Sequence, residues 1–246
     1  MKIGILETGE VAPDLAARHG DYPAMFEAML GAVDPALEFA TVRVVAGEMP
    51  AAPGQADAWL VTGSRHGVYD DLPWIAPLKD FLRACVAEGV PVVGVCFGHQ
   101  ILAEALGGRA EKSDRGWGLG VQDYEVTARP GWMADLPDRF SVRAWHQDQV
   151  VALPPEATVL ARSGHCAYAA LAYGDPERPF ALSLQPHPEF GRDYLDALLA
   201  LRAGTVVTHE EAAGARASLD RPVHADVWAR MIVDFLRRAA EARAAA

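Results

Sequence analysis

An unbroken apolar run, Val90-Pro91-Val92-Val93-Gly94-Val95, leads through a single residue, Cys96, into a stretch that reads as a helix over residues 97–108. Apolar residues without polar alternation call for a strand covered on both faces, the mark of a central parallel strand. The helical stretch is closed by the glycine pair Gly107-Gly108. The whole turn from strand to helix therefore falls on Cys96. Such an elbow holds its central residue in a strained backbone conformation. Gly94 and Gly98, two residues to either side, let strand and helix approach closely.

The surrounding sequence repeats the strand–helix alternation. Residues 2–6, 38–45 and 58–63 read as strands, and residues 23–33 and 73–89 as helices. That order implies an α/β fold with a mostly parallel sheet and helices on both faces. The second half changes character. Residues 118–128, 139–145, 157–164 and 166–174 read as short strands between turn signals, an antiparallel extension of the same sheet. Residues 179–190 begin as one more apolar strand. From residue 192 the chain reads as helices, with residues 204–221 a looser helical connection. The last helix falls at about 223–244, with Trp228, Ile232 and Phe235 as its core-facing stripe. No linker divides the chain. Residues 1–190 are expected to form the functional domain, and residues 191–246 a helical extension packed on it.

Charge and cysteine usage narrow the function. With 22 Lys and Arg against 33 Asp and Glu, the net charge is −11, which argues against nucleic acid or an anionic membrane as the main partner. No apolar run approaches the ~20 residues of a membrane span, and the start turns acidic too soon for a signal peptide. Cys85, Cys96 and Cys166 are too few, and odd in number, for a disulfide framework. No two have metal-ligand spacing, so no metal and no cofactor is expected. A reducing cytoplasm is the expected setting. No phosphate-binding glycine loop occurs.

The elbow presents Cys96 at the carboxyl end of the sheet, where open α/β folds bind ligands. The amide of Phe97 lies at the helix N-terminus, placed to stabilise an oxyanion, and the same positive end favours a thiolate. A buried core cysteine is the bland alternative. The flanking glycines and the polar His99-Gln100 pair weigh against it, whereas Cys85 and Cys166 have no such context and read as core residues. A thiol nucleophile needs a base, and the base needs a group to fix its tautomer. Among eight histidines, His187 follows a strand and sits between Pro186 and Pro188. Pro188 biases it towards an extended conformation, in which Glu189, two residues on, lies on the same side. Taken alone, the pair also fits an ordinary loop histidine beside a surface glutamate.

Together, GVCFGHQ (94–100) and QPHPEF (185–190) resemble the paired signature of the class I glutamine amidotransferases. The resemblance covers roughly residues 1–190 and implies a Cys-His-Glu triad of Cys96, His187 and Glu189 on a flavodoxin-like sheet. It also implies attack on the γ-amide of glutamine, a γ-glutamyl thioester on Cys96, and release of ammonia and glutamate. The loop VTGSRHGVYDD (61–71) matches the family's glycine loop and assigns the second oxyanion amide to Ser64, with Gly63 beside it. Ser64 and Arg65 stand where the family has Gly and Pro. Gln100 matches a substrate-contacting position. AWHQDQV (144–150) matches a pocket-lining segment and contributes His146 and Gln147, with His146 also a competing base. The segment from Ser64 to Ile75 is similar to free-standing, GMP-synthase-like members, some of whose relatives are γ-glutamyl peptidases. The resemblance thus implies either a glutaminase-type subunit that supplies a separate synthetase chain, or a γ-glutamyl hydrolase. A catalytically silent binding module is the reading from a different class. The oligomeric state is left open.

Overall fold

The structure, a computed structural model, describes residues 1–244. In chain order its elements are β1 (Lys2–Leu6), α1 (Pro13–His19), α2 (Tyr22–Val33), β2 (Glu38–Val42), β3 (Ala58–Val61), α3 (Ile75–Ala87), β4 (Val92–Val95), α4 (Phe97–Ala105) and β5 (Arg109–Lys112). There follow β6 (Gly118–Val126), β7 (Arg139–His146), β8 (Asp148–Ala152), β9 (Ala157–Arg162), β10 (Ala170–Tyr173), β11 (Ala181–Leu184), α5 (Arg192–Arg202), α6 (His209–Ala217) and α7 (Ala225–Ala244).

Nine strands form one sheet in the order β2-β1-β3-β4-β11-β10-β9-β6-β7. The first five are mutually parallel, and from β10 onward every pairing is antiparallel. The expected mixed sheet is thus present. Its decisive feature is the insertion of β11 beside β4. Leu184 pairs with Val95 on one side of β4, and on the other Val61 pairs with Gly94. Parallel strands end together, so the segments that follow β3, β4 and β11 emerge side by side at one edge, although residues 61 and 184 are far apart in sequence.

Alternate strand residues face opposite layers. Ile3, Ile5, Leu60, Val93 and Val95 pack under α2 and α7, while Leu6, Trp59, Val61 and Val92 pack under α3 and α4. Helix α7 crosses from Phe26 and Leu30 on the parallel half to Tyr124 and Phe140 on the antiparallel half. The ring of Trp228 meets that of Phe140 edge-on at 5.5 Å. Trp228, Ile232 and Phe235 are all buried, as their spacing predicts. Ile232 and Phe235 each contribute about 1.5–3 kcal/mol of burial free energy.

Several details refine the sequence reading: α1 and β5 were not anticipated, and the strand read over 166–174 begins only at Ala170. The strand expected over 38–45 ends at Val42, because β1 has run out, and a short 3-10 turn over Val44–Ala46 follows. Residues 148–152 are a strand and pair with β5 in a separate two-stranded sheet, so the chain changes sheets at Gln147. The looser helical connection expected over 204–221 is helical, but α6 within it is regular and opens with a full capping box: Thr208 Oγ1 accepts from the Glu211 amide, and the Glu211 carboxylate accepts from the Thr208 amide. No helix among the described residues is long and apolar enough to cross a membrane.

Candidate active site

Cys96 has φ 56° and ψ −105°, and among the described residues it is the only non-glycine with positive φ. Such a conformation costs roughly 1–3 kcal/mol and persists only where the surroundings enforce it. Here the two flanking glycines do so. A Cβ on Gly94 would lie 2.3 Å from the Gly98 carbonyl oxygen, and one on Gly98 would lie 2.3 Å from the Val61 carbonyl oxygen. The backbones of β3, β4 and the first turn of α4 are therefore in direct contact. The Cys96 amide donates to the Leu184 carbonyl at 2.8 Å, locking the elbow to β11. The Cys96 thiol lies 3.9 Å from the Trp145 carbonyl oxygen.

His187 and Glu189 arrive at the same edge from β11. Nδ1 of His187 lies 2.6 Å from Oε1 of Glu189, and both side chains are buried. The His187 amide donates to the Arg143 carbonyl at 2.8 Å. The Phe190 ring stacks on the imidazole, with centroids 3.9 Å apart and planes within 8°. Gly63 brings the pair to the thiol. A Cβ at Gly63 would stand 3.0 Å from Cε1 of His187 and 3.7 Å from Cβ of Cys96, so one bare α-carbon abuts both residues. Nε2 of His187 has no hydrogen-bond partner within the described residues. Burial alone would depress the pKa of this ring. The Glu189 carboxylate and the Cys96 sulfur outweigh burial and carry it up to about 10.

The loop after β3 is anchored by two buried threonines. The Thr8 amide donates to Thr62 Oγ1 at 3.0 Å, and Thr8 Oγ1 donates to the Thr62 carbonyl at 3.0 Å. These bonds fix the loop that carries Ser64 and Arg65. The amides of Gly63, Ser64 and Phe97 donate to no oxygen among the described residues. Further along, the His66 amide donates to Ser64 Oγ and the Gly67 amide to Asp70 Oδ2.

A cavity of about 410 Å³ opens on Cys96 and His187, and Ser64, Gln100, His146 and Gln147 line it as well. Gln100 donates from Nε2 to the Asp148 carbonyl at 2.8 Å and to Oε1 of Gln185 at 3.2 Å, which ties α4 to the start of β8 and to the end of β11. His146 is buried. Burial, reinforced by the neighbouring His165 and His187, pushes its pKa down to about 3, so its ring is neutral at physiological pH. Among the described residues no carboxylate pairs with it. The nearby Asp148 carboxylate instead accepts from the Tyr69 hydroxyl at 2.8 Å. Cys85 and Cys166 are buried, and burial pushes both thiols up to about 12. No three His, Cys, Asp or Glu side chains gather in a metal-binding group among the described residues.

Sequence reasoning passed over Thr8, Thr62 and the stacking role of Phe190. It also passed over the aromatic wall of the cavity, including Tyr22 and Tyr194. QPHPEF held a cue for Phe190, since it adjoins Glu189. The threonines and tyrosines are scattered along the chain and carry no spacing signal.

The family described as glutamine amidotransferase class-I matches residues 55–198. "Gamma-glutamyl peptidase 4" of Arabidopsis thaliana is 28% identical over 229 residues, covering 89% of this chain and 89% of that protein. "GMP synthase [glutamine-hydrolyzing]" of Thermomicrobium roseum is 42% identical over 142 residues, 57% of this chain and 24% of that protein. In fold, a glutamine amidotransferase from Thermotoga maritima superposes with a TM-score of 0.76, covering 98% of each chain at 19% identity.

Proposed function

Because the chain belongs to the class I glutamine amidotransferase family, we propose that it hydrolyses γ-glutamyl amide bonds through a thioester on Cys96, with glutamine the smallest substrate. The Cys96 thiol gives its proton to Nε2 of His187, and the sulfur attacks the γ-carbonyl carbon. The carbon–nitrogen bond breaks, and the amine departs with the proton from Nε2 of His187. Water then attacks the thioester while His187 takes its proton. The carbon–sulfur bond breaks, glutamate leaves, and His187 returns the proton to the sulfur, restoring the thiol. Glu189 holds the imidazole by Nδ1 and stabilises its charged form. The unused amides of Phe97 and of Gly63 or Ser64 are the donors for the tetrahedral oxyanion. Gln100, His146 and Gln147 contribute to the wall that receives the glutamyl head. Substrate and water supply every atom of this cycle, so no cofactor enters it, and a reducing compartment suits its free thiol.

The observation that carries this reading is that the Cys96 Cβ and the carboxylate-paired His187 ring both lie against Gly63. The test is labelling with a glutamine-like electrophile followed by peptide mapping. One adduct on Cys96 is expected, together with release of glutamate from glutamine or a γ-glutamyl peptide. A folded protein that forms no adduct at Cys96 and cleaves neither substrate refutes it, and would return the chain to the silent binding module.

The match to the Thermomicrobium roseum GMP synthase favours a second reading, in which glutamine alone is cleaved and the ammonia passes to a separate synthetase chain. Hydrolysis of γ-glutamyl peptides by the isolated chain separates the two, since an ammonia donor cleaves glutamine and depends on its partner.

A further inference from the structure

The cavity walls differ in character. Arg65, Asp70, Lys112, Gln147 and Asp148 make one side polar and charged, with Gln100 among them. The other side is aromatic and aliphatic: Tyr22, Trp117, Phe190, Tyr194, Leu198 and Val206. Phe190, Tyr194 and Leu198 are buried members of the hydrophobic cluster that α5 and α6 close, and Tyr22 and Trp117 pack against it. Val206, on the turn after α5, is 44% exposed.

A glutamyl group is a zwitterionic amino acid with a short chain, and the polar wall suits its head. Ammonia as leaving group has no apolar surface to bury, so beyond Phe190, which braces His187, the second wall offers glutamine nothing to bury. A volume of about 410 Å³ lies in the ~300–1,000 Å³ range of sites for drug-sized ligands. One cation stands on the apolar side, the half-buried Arg202 in the last turn of α5. Neighbouring arginines are neutralised, Arg192 by Asp193 and Asp220, and Arg216 by Asp196. Arg202 makes no ion pair among the described residues. Both Arg202 and Val206 lie beyond residue 198, where the family match ends.

We propose that Tyr22, Tyr194, Leu198, Val206 and Arg202 form a leaving-group subsite that selects γ-glutamyl dipeptides whose second residue is apolar and carries a free carboxylate. The inference rests on γ-glutamyl hydrolysis at Cys96 and names the amine that departs. The apolar side chain lies on the aromatic wall, its carboxylate pairs with Arg202, and its nitrogen leaves with the His187 proton. A cationic amine is disfavoured by the same guanidinium.

The test compares kcat/KM for three probes: glutamine, γ-glutamylphenylalanine, and the γ-glutamyl amide of phenethylamine, which keeps the ring and lacks the carboxylate. The wild-type chain is expected to prefer the dipeptide to glutamine by at least tenfold. Arg202→Ala should cut the preference for the dipeptide over the phenethylamide by about tenfold, the order set by one charge-assisted hydrogen bond at a partly solvated site. Val206→Asp should cut the preference for either aromatic substrate over glutamine. Both residues are at the surface, and circular dichroism confirms the fold of each variant. Equal loss on all three probes, or a wild-type preference for glutamine, overturns the subsite while leaving hydrolysis at Cys96 standing. Failure to cleave any probe, with no electrophile adduct on Cys96, removes the catalytic reading and the subsite with it.

Discussion

Gly63→Ala isolates the geometry on which the chemistry depends. The new methyl would stand 3.0 Å from Cε1 of His187, where unstrained contacts begin near ~3.4 Å, so the ring must yield by about 0.4 Å. It has little freedom to do so. Its face is stacked on Phe190 at 3.9 Å, and Nδ1 is tethered to Glu189 at 2.6 Å. A misplacement of ~1 Å costs catalysis about a hundredfold, so a shift of ~0.4 Å scales to about five- to tenfold in kcat/KM, or about 1–1.4 kcal/mol of transition-state stabilisation. The backbone amide at position 63 survives the substitution, so an oxyanion donor there is kept. Stability is expected to fall by about 1–2 kcal/mol. Overpacking of about 1–3 kcal/mol is partly offset by the ~0.4–1 kcal/mol that alanine gains over glycine through the unfolded chain. The assay is steady-state hydrolysis of a γ-glutamyl substrate, with thermal unfolding run in parallel. Unchanged kcat/KM in a folded Gly63→Ala protein would show that the His187 ring at Gly63 is not the working base.

Other expectations follow from the same structure. At Cys96, glycine should accept φ 56° more readily than alanine; relief of ~1–2 kcal/mol places the melting point of Cys96→Gly about 2–8 °C above that of Cys96→Ala, with both inactive, and calorimetry giving equal or reversed values refutes the strain. His187 has its folded pKa raised from 6.5 to about 10, so the stability it lends is fully present below pH 6.5 and is lost as pH rises through 10. Cys96→Ala removes one of the groups that raise it, so the His187 ring should titrate by NMR at lower pH than in the wild type, and an unmoved midpoint would separate the sulfur from the ring. Thr208→Ala deletes the capping box of α6 and should cost about 1 kcal/mol, read as a fall of about 2–4 °C in melting temperature; no fall would show that the box adds nothing to the fold.

The elbow was legible because its constraints are local. An apolar run, one residue of turn and two glycines at fixed offsets specify a strand–helix junction whatever the rest of the chain does, and the glycine contacts at Val61 and Gly98 bear that out. The parallel half, the antiparallel extension and the core stripe of α7 were readable for the same reason, since periodicity records which faces are covered. Thr208 and Glu211 held a local signal too, which the Ala- and Gly-rich context of α6 obscured.

Which distant groups would meet was not written locally. Sequence set His187 beside Glu189, but only the insertion of β11 next to β4 carries that pair to Cys96. Thr8 and Thr62 lock the loop through a contact between β1 and β3 that no spacing announces. The cavity's two contrasting walls likewise come from residues scattered between Glu10 and Val206. Strand order and helix docking depend on long-range burial, whose free energy is a sum over the whole core rather than a property of any short segment.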